Sequence, residues 1–134
     1  MKFEKIVFLM ITISICTVLI TTQLQTQDSI SVLVNNSGPY IGTAVPHDYG
    51  FDGSGIIISV IDTGVDFNHP DLLGLGLDGK IIGGYDFVDN DETPQDSNGH
   101  GTQVAGIIAS NGNLKGIAPN SKILAYRVSE DGES

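Results

Sequence analysis

The sequence has almost no cysteine and few cationic residues. Among its 134 residues Cys16 is the only cysteine, so no disulfide can form within the chain. Lys and Arg together number 6 and Asp and Glu together number 16, which gives a formal net charge of -10. Nucleic acids and anionic membrane surfaces are bound through clustered Lys and Arg, so we predict no nucleic-acid partner. Apolar residues make up 40% of the chain and glycines number 17, a composition that favours a packed, turn-rich fold over disorder.

The first 25 residues have the pattern of an export signal. Lys2 and Lys5 give a positive start, and residues 6–20 are mostly apolar and uncharged. We predict a signal peptide over residues 1–25 and a protein that is secreted or held in the cell envelope. The alternative is an uncleaved membrane anchor, although the run is shorter than the about 20 apolar residues that span a bilayer. Membrane contact is predicted only through this segment.

The rest of the chain divides into a linker and a domain. Residues 26–40 are mostly polar and predict a linker. From residue 41 to residue 134 the pattern is that of a globular domain, with apolar runs separated by glycine-rich turns.

Strand and helix patterns alternate within this domain. We predict strands over residues 56–61, 80–87 and 122–128, and helices over residues 41–49 and 99–110. The first strand is a continuous β-branched run between glycines, which predicts burial on both faces of a parallel sheet. Parallel strands joined through a helix form right-handed crossovers, so the predicted fold class is α/β.

An aspartate stands at the end of the first predicted strand. Asp62 is followed by Thr63 and Gly64, which permit a sharp turn. In open α/β sheets, functional sites form at the carboxyl ends of the strands. A carboxylate at the end of an apolar strand is also costly unless another group pairs with it. The alternative is that Asp62 only caps the segment that follows it.

A histidine stands at the start of the second predicted helix. His100 is flanked by Gly99 and Gly101, which let other groups approach the imidazole closely. The helix dipole at this end disfavours the protonated ring, which suits a histidine that accepts a proton near neutral pH. The alternative is a solvated loop histidine near a helix start.

Together these two residues predict a catalytic pair. An aspartate that fixes one imidazole nitrogen leaves the other nitrogen free to take a proton, which makes up two thirds of a nucleophilic triad. Asp62 precedes His100 by 38 positions in the sequence.

Three blocks of sequence resemble the subtilisin-like serine protease family. They are residues 59–72 (SVIDTGVDFNHPDL), residues 98–109 (NGHGTQVAGIIA) and residues 116–128 (GIAPNSKILAYRV). Residues 84–91 (GYDFVDND) are most similar to cell-envelope and minor extracellular members. The resemblance implies a three-layer α/β fold with a mostly parallel sheet, of which residues 41–134 would be the N-terminal portion.

The resemblance also implies a function, serine-type endopeptidase activity on polypeptide substrates. Asp62 would orient and stabilise His100, and His100 would act as general base and then as general acid. The family's Gly-Thr-Ser block and its oxyanion asparagine are absent from the sequence. We therefore expect the chain to stop before the serine and to be inactive, or nearly so, by itself. Gln103 replaces a second histidine that the family usually has, and we expect little effect.

No cofactor is expected to be needed for the chemistry. By the resemblance, Asp71 matches a calcium ligand of the family, but the loop at residues 111–115 is short, so Asp71 is only a weak calcium candidate. Acidic residues are also concentrated between Asp86 and Asp96. An EF-hand loop requires glycine at its sixth position, where counting from Asp89 gives Pro94, so this stretch predicts a solvated acidic loop.

Two other classes of protein compete with this interpretation. The Asp-Thr-Gly sequence also marks aspartic proteases, which need two such aspartates sharing a proton, so this chain would have to dimerise. The second alternative is a non-catalytic product, either a gene fragment or an interaction module.

Overall fold

A computed structural model of the chain describes residues 38–72, 74–76 and 79–132. The predicted signal peptide and most of the predicted linker lie outside these residues. Two helices and three strands are named here in chain order: α1 (Ala44–Asp48), β1 (Ile57–Asp62), β2 (Ile81–Asp86), α2 (His100–Ala109) and β3 (Lys122–Arg127). Every predicted helix and strand that falls on described residues is present, with bounds that differ by at most three residues. No helix in the described ranges is long and apolar enough to cross a membrane.

The strands form one parallel sheet with β3 between β1 and β2. Asp62 and Arg127 are register partners, and Asp86 pairs with Arg127 from the other side. Because the strands are parallel, their carboxyl ends meet at one edge of the sheet, where polar side chains can form a site. The α/β fold class predicted from the sequence is confirmed.

Helix α2 packs on one face of the sheet. The buried core joins side chains of the helix, the three strands and the loop after β1, namely Val60, Val65, Leu72, Ile81, Ala105, Ala109, Ile123 and Ala125. Alanines on the buried side of α2 let the helix lie close to β1 and β3. This packing brings the first turn of α2 to the carboxyl end of β1.

The opposite face of β1 is exposed, which contradicts the prediction of burial on both faces. Ile57 is 57% exposed and Ile61 is 66% exposed, whereas Val60 on the helix face is 4% exposed. The apolar run correctly predicts a strand, but burial depends on a covering layer. Among the described residues α2 covers one face of the sheet, so the three-layer arrangement is seen only in part.

A buried ion pair lies at the carboxyl edge of the sheet. Arg127 Nη1 donates to Asp86 Oδ2 at 2.9 Å and to Asp89 Oδ2 at 2.5 Å. Burial alone would raise the pKa of Asp86, but hydrogen bonds from Arg127 and from the N–H groups of Asp89 and Val88 outweigh it and lower the pKa. The prediction of a solvated acidic loop is wrong for Asp86, which is 1% exposed.

Candidate active site

The two residues predicted as a catalytic pair are in direct contact. His100 Nδ1 lies 2.7 Å from Asp62 Oδ1. An ionised carboxylate can only accept, so Nδ1 carries the hydrogen and donates it, which leaves a lone pair on Nε2. The His100 side chain is 56% exposed, whereas the Asp62 side chain is 17% exposed. The imidazole therefore has one fixed nitrogen and one accessible basic nitrogen.

The backbone holds Asp62 in place at the start of the turn. The N–H of Thr63 donates to Asp62 Oδ1 at 2.7 Å, so the same oxygen accepts from the backbone and from the imidazole. The N–H of Val128 donates to the carbonyl oxygen of Asp62 at 2.9 Å, which continues the pairing of β1 with β3. The carboxylate therefore has a defined orientation at the end of the strand.

The carboxylate of Asp62 controls the charge state of His100. Its hydrogen bond and its negative charge raise the pKa of His100, with a further contribution from the charge of Asp96. This net direction is opposite to the effect expected from the helix dipole. A full charge at hydrogen-bond distance outweighs the partial charge of a helix end, about half an elementary charge, which solvent screens.

The glycine after His100 is required by close packing. A β-carbon on Gly101 would lie 2.1 Å from the carbonyl oxygen of Gly64 and 3.1 Å from Asp62 Oδ1. Any larger residue would push the first turn of α2 away from the end of β1. Gly99, which precedes the helix, has a φ of 107°, a conformation that strongly favours glycine.

Side chains satisfy the free N–H groups in the first turn of α2. The N–H of His100 donates to Asn98 Oδ1, that of Gly101 donates to Thr63 Oγ1, and that of Thr102 donates to Asp96 Oδ2. Asn98, Thr63 and Asp96 are not among the site residues predicted from the sequence. An Asp four residues before His100, at the entrance of a helix, was the available signal for a capping role.

Asp71 does not have the surroundings of a calcium ligand. Its Oδ1 accepts the N–H of Asn113 at 2.7 Å, and its carbonyl oxygen accepts the N–H of Asn111 at 2.9 Å. A β-carbon on Gly112 would lie 2.1 Å from Asp71 Oδ1, so the loop backbone packs directly against the carboxylate. Calcium takes 6–8 oxygen ligands, whereas Oδ1 and the carbonyl oxygen of Asp71 each already accept a backbone amide. These contacts disfavour calcium binding at Asp71.

The other described acidic and histidine side chains are not clustered as metal ligands usually are. The described part of the chain contains no group of three or more His, Cys, Asp or Glu side chains that could hold a metal ion. His47 Nε2 is 2.8 Å from the carbonyl oxygen of Ile117, and His69 Nδ1 accepts the N–H of Asp71 at 3.2 Å. Gln103 lies on the exposed side of α2.

The site contains an imidazole at a helix start that is fixed by a carboxylate at a strand end. This arrangement is typical of proteins that activate a nucleophile with an Asp–His pair. The family comparison agrees with this class. Residues 53–134 match the model of the subtilase family. The chain belongs to the subtilase family.

Two named relatives match large parts of the chain. The chain is 44% identical over 120 residues to "Minor extracellular protease Vpr" of Bacillus subtilis (strain 168), covering 81% of this chain and 14% of that protein. It is 52% identical over 87 residues to "Thermitase" of Thermoactinomyces vulgaris, covering 62% of this chain and 29% of that protein. The chain thus spans less than a third of the length of these relatives.

Solved structures show a similar fold. "Crystal structure of a cold adapted subtilisin-like serine proteinase" matches with a TM-score of 0.53 and 47% identity, over 63% of this chain and 29% of that chain. "Sphericase" matches with a TM-score of 0.53 and 37% identity, over 62% of this chain and 28% of that chain. The predicted subtilisin-like fold is confirmed, and the aspartic protease alternative is excluded by the family match.

Proposed function

We propose that residues 41–134 supply the aspartate and histidine of a subtilisin-like serine endopeptidase. The contact between His100 Nδ1 and Asp62 Oδ1 supports this proposal most directly, because it fixes the tautomer that a general base needs. One of the relatives that match the chain is named a minor extracellular protease, and the aspartate and histidine blocks of the chain resemble those of the subtilase family in order.

In the proposed reaction, His100 Nε2 accepts the proton of a serine hydroxyl while the serine oxygen bonds to the peptide carbonyl carbon. The resulting imidazolium, stabilised by Asp62, gives its proton to the leaving amine as the peptide bond breaks. A water molecule then gives a proton to His100 Nε2 as its oxygen bonds to the acyl carbon. His100 returns this proton to the serine oxygen as the acyl group leaves as a carboxylic acid. The 134 residues contain no Gly-Thr-Ser sequence, so the nucleophile of this reaction lies outside them.

We propose polypeptide substrates and a place of action outside the cytoplasm. The name of the relative from Bacillus subtilis, a minor extracellular protease, and the apolar run after Lys5 support export. We also propose that residues 1–25 are removed after export and are not kept as an anchor. The chemistry as proposed uses no metal ion and no organic cofactor.

A chimera tests the proposed activity. Residues 38–134 would replace the matching segment of thermitase, whose remaining sequence would supply the serine and the oxyanion groups. We expect hydrolysis of a chromogenic peptide and labelling by a serine-directed phosphonate. The matched control is the same chimera with His100→Ala. A folded chimera that shows no more hydrolysis than this control would contradict the proposal.

A further inference from the structure

Thr63 connects the two backbone segments that carry Asp62 and His100. It directly follows Asp62 and is fully buried. Its Oγ1 accepts the N–H of Gly101, the residue after His100, at 2.9 Å. The same hydroxyl donates to Asp96 Oδ1 at 2.9 Å. One hydroxyl therefore links the end of β1, the start of α2 and the loop before the helix.

The carboxylate of Asp96 is surrounded by donors. Besides Thr63 Oγ1, its Oδ1 accepts the N–H groups of Asn98 and Gly99, each at 2.9 Å. Its Oδ2 accepts the N–H of Thr102 at 2.9 Å and the Thr102 hydroxyl at 2.5 Å. Burial alone would raise the pKa of Asp96, but these hydrogen bonds, led by that of Gly99, outweigh it and lower the pKa. Asp96 is thus an anion that fixes the entrance of α2.

We propose that Asp96 is a positioning residue for the Asp62–His100 pair and that it acts through the hydroxyl of Thr63. The term positioning rests on the proposed function, since it assumes that this pair is the one that acts on the nucleophile. The contacts of Asp96 and Thr63 do not depend on that assumption.

The physical reason is the short range of the carboxylate–imidazole contact. Asp62 and His100 lie on separate elements, and each is adjacent to one residue of the Thr63–Gly101 bond. A displacement of about 1 Å between such groups can cost a factor of about 100 in rate. A buried hydroxyl with an acceptor and a donor in fixed places resists that displacement, because breaking either bond leaves a buried polar group unpaired.

Other charges near His100 have to be separated from positioning. The charges that act on its ring are those of Asp62 and Asp96. Glu130 and Asp131 lie on the segment that leads to Gly132. A β-carbon on Gly132 would lie 3.7 Å from the β-carbon of His100, so this segment passes close to the histidine. Removing the charge of Asp96 would by itself change the titration of His100, so the test includes a variant that alters no charge.

The first experiment titrates His100 by NMR in the full 134-residue chain. Thr63→Val removes the hydroxyl while keeping side-chain size and charge. We expect His100 to titrate at lower pH than in the parent, with a shift that is a measurable part of that caused by Asp62→Asn. Thr63→Ser keeps the hydroxyl and is expected to restore the parent titration. A folded Thr63→Val chain with the parent titration would overturn the proposal.

The second experiment uses Asp96→Asn and does not require Thr63→Val to fold. Because Asp96 is partly buried, salt screens its charge only incompletely, so the readout is the Nδ1–H proton resonance of the protonated His100 ring, which moves upfield when the hydrogen bond to Asp62 lengthens. An upfield move in Asp96→Asn supports positioning. A changed titration midpoint with an unchanged Nδ1–H resonance shows that Asp96 acts only as a charge, which overturns the proposal. Asp91→Asn is the matched control, because Asp91 Oδ1 also accepts a backbone N–H, that of Thr93.

Neither experiment needs hydrolysis. An inactive chimera with Asp96-dependent titration of His100 would contradict the proposed function and leave the positioning relationship intact. An active chimera in which neither substitution changes the titration of His100 would support the proposed function and contradict the positioning role of Asp96.

Discussion

The backbone of Gly101 touches the backbone of Gly64. The missing side chain at Gly101 is what allows this contact, since a β-carbon there would lie 2.1 Å from the Gly64 carbonyl oxygen. Gly64 is itself enclosed, because its own β-carbon would lie 2.7 Å from the carbonyl oxygen of Pro94. The start of α2, the turn after β1 and the loop before the helix therefore meet with no room for a side chain.

Replacing Gly101 by Ala is expected to destabilise the fold and to separate Asp62 from His100. The added methyl group would collide with backbone rather than with a flexible side chain, so we expect a loss of about 3 kcal/mol in the free energy of unfolding. Urea denaturation measures this loss, and the His100 titration reports the separation.

Gly106→Ala is the matched control for Gly101→Ala. Gly106 lies in the same helix, and a β-carbon there would meet no atom within 4 Å. Alanine in a helix interior is expected to stabilise the chain by about 0.5–1 kcal/mol relative to glycine. Equal effects of the two substitutions would show that helix propensity, not the contact with Gly64, controls the stability.

The sequence predicted the features that depend on local pattern. The strand ending at Asp62 and the helix starting at His100 follow from apolar periodicity and glycine placement, and both are present. The exposure of Ile61 could not be predicted, because it depends on which layers cover the sheet. The contact of Asp96 with Thr63 could not be predicted, because no sequence pattern links these two positions, whereas its contacts with N–H groups at the start of α2 are those of a capping residue.

The Asp86–Arg127 ion pair is expected to contribute strongly to stability. Asp86→Asn keeps the oxygen that accepts the N–H groups of Val88 and Asp89 but removes the charge facing Arg127. Without the Asp86 charge, the buried Arg127 keeps only exposed carboxylates, those of Asp89 and Glu130, so we expect a cost of about 3 kcal/mol. Denaturant unfolding at neutral pH measures it.

Asp89→Asn provides the comparison for this ion pair. Its side chain is 62% exposed although it also contacts Arg127, so we expect a cost below about 1 kcal/mol. A larger loss for Asp89→Asn than for Asp86→Asn would show that burial is not what makes the pair important.

Asp62→Asn in the serine-bearing chimera is expected to lower kcat by about 10⁴-fold. The amide cannot stabilise the imidazolium that forms during the reaction, and it no longer favours the tautomer with hydrogen on Nδ1. Steady-state kinetics on a chromogenic peptide measures the effect. A reduction of less than about tenfold would mean that Asp62 does not support the base.

The raised pKa of His100 gives activity and stability opposite dependences on pH. The neutral imidazole is the base, so kcat/KM of the chimera should rise with pH through a pKa above the ordinary histidine value of about 6.5. Folding favours the protonated ring, because the folded-state pKa is the higher one. This contribution to stability is complete below the unfolded pKa and is lost as pH rises through the folded one.

Paired measurements on the chimera test this pH dependence. With Asp62→Asn the midpoint of the activity profile should move to lower pH, and the pH-dependent part of the unfolding free energy in this range should shrink. An unchanged midpoint in the variant would show that another group controls the titration.

Calcium is expected to leave the stability of the chain unchanged. Asp71 is 5% exposed, and its carboxylate accepts the N–H of Asn113. The carboxylate therefore holds the short loop without a metal ion. Calcium at 100 times the Kd of a native site would add about 2.7 kcal/mol to the free energy of unfolding, which raises Tm by several degrees. We therefore expect the same Tm in millimolar calcium and in chelator.

Two substitutions at Asp71 identify what this side chain does. Asp71→Asn keeps an oxygen for the Asn113 amide and should change the unfolding free energy little, whereas Asp71→Ala leaves that amide unpaired and should cost about 1–3 kcal/mol. Both effects should be the same with and without calcium. A parent chain that gains Tm from calcium, and loses this gain in Asp71→Asn, would instead make the carboxylate a calcium ligand, with the loop opening to admit the ion.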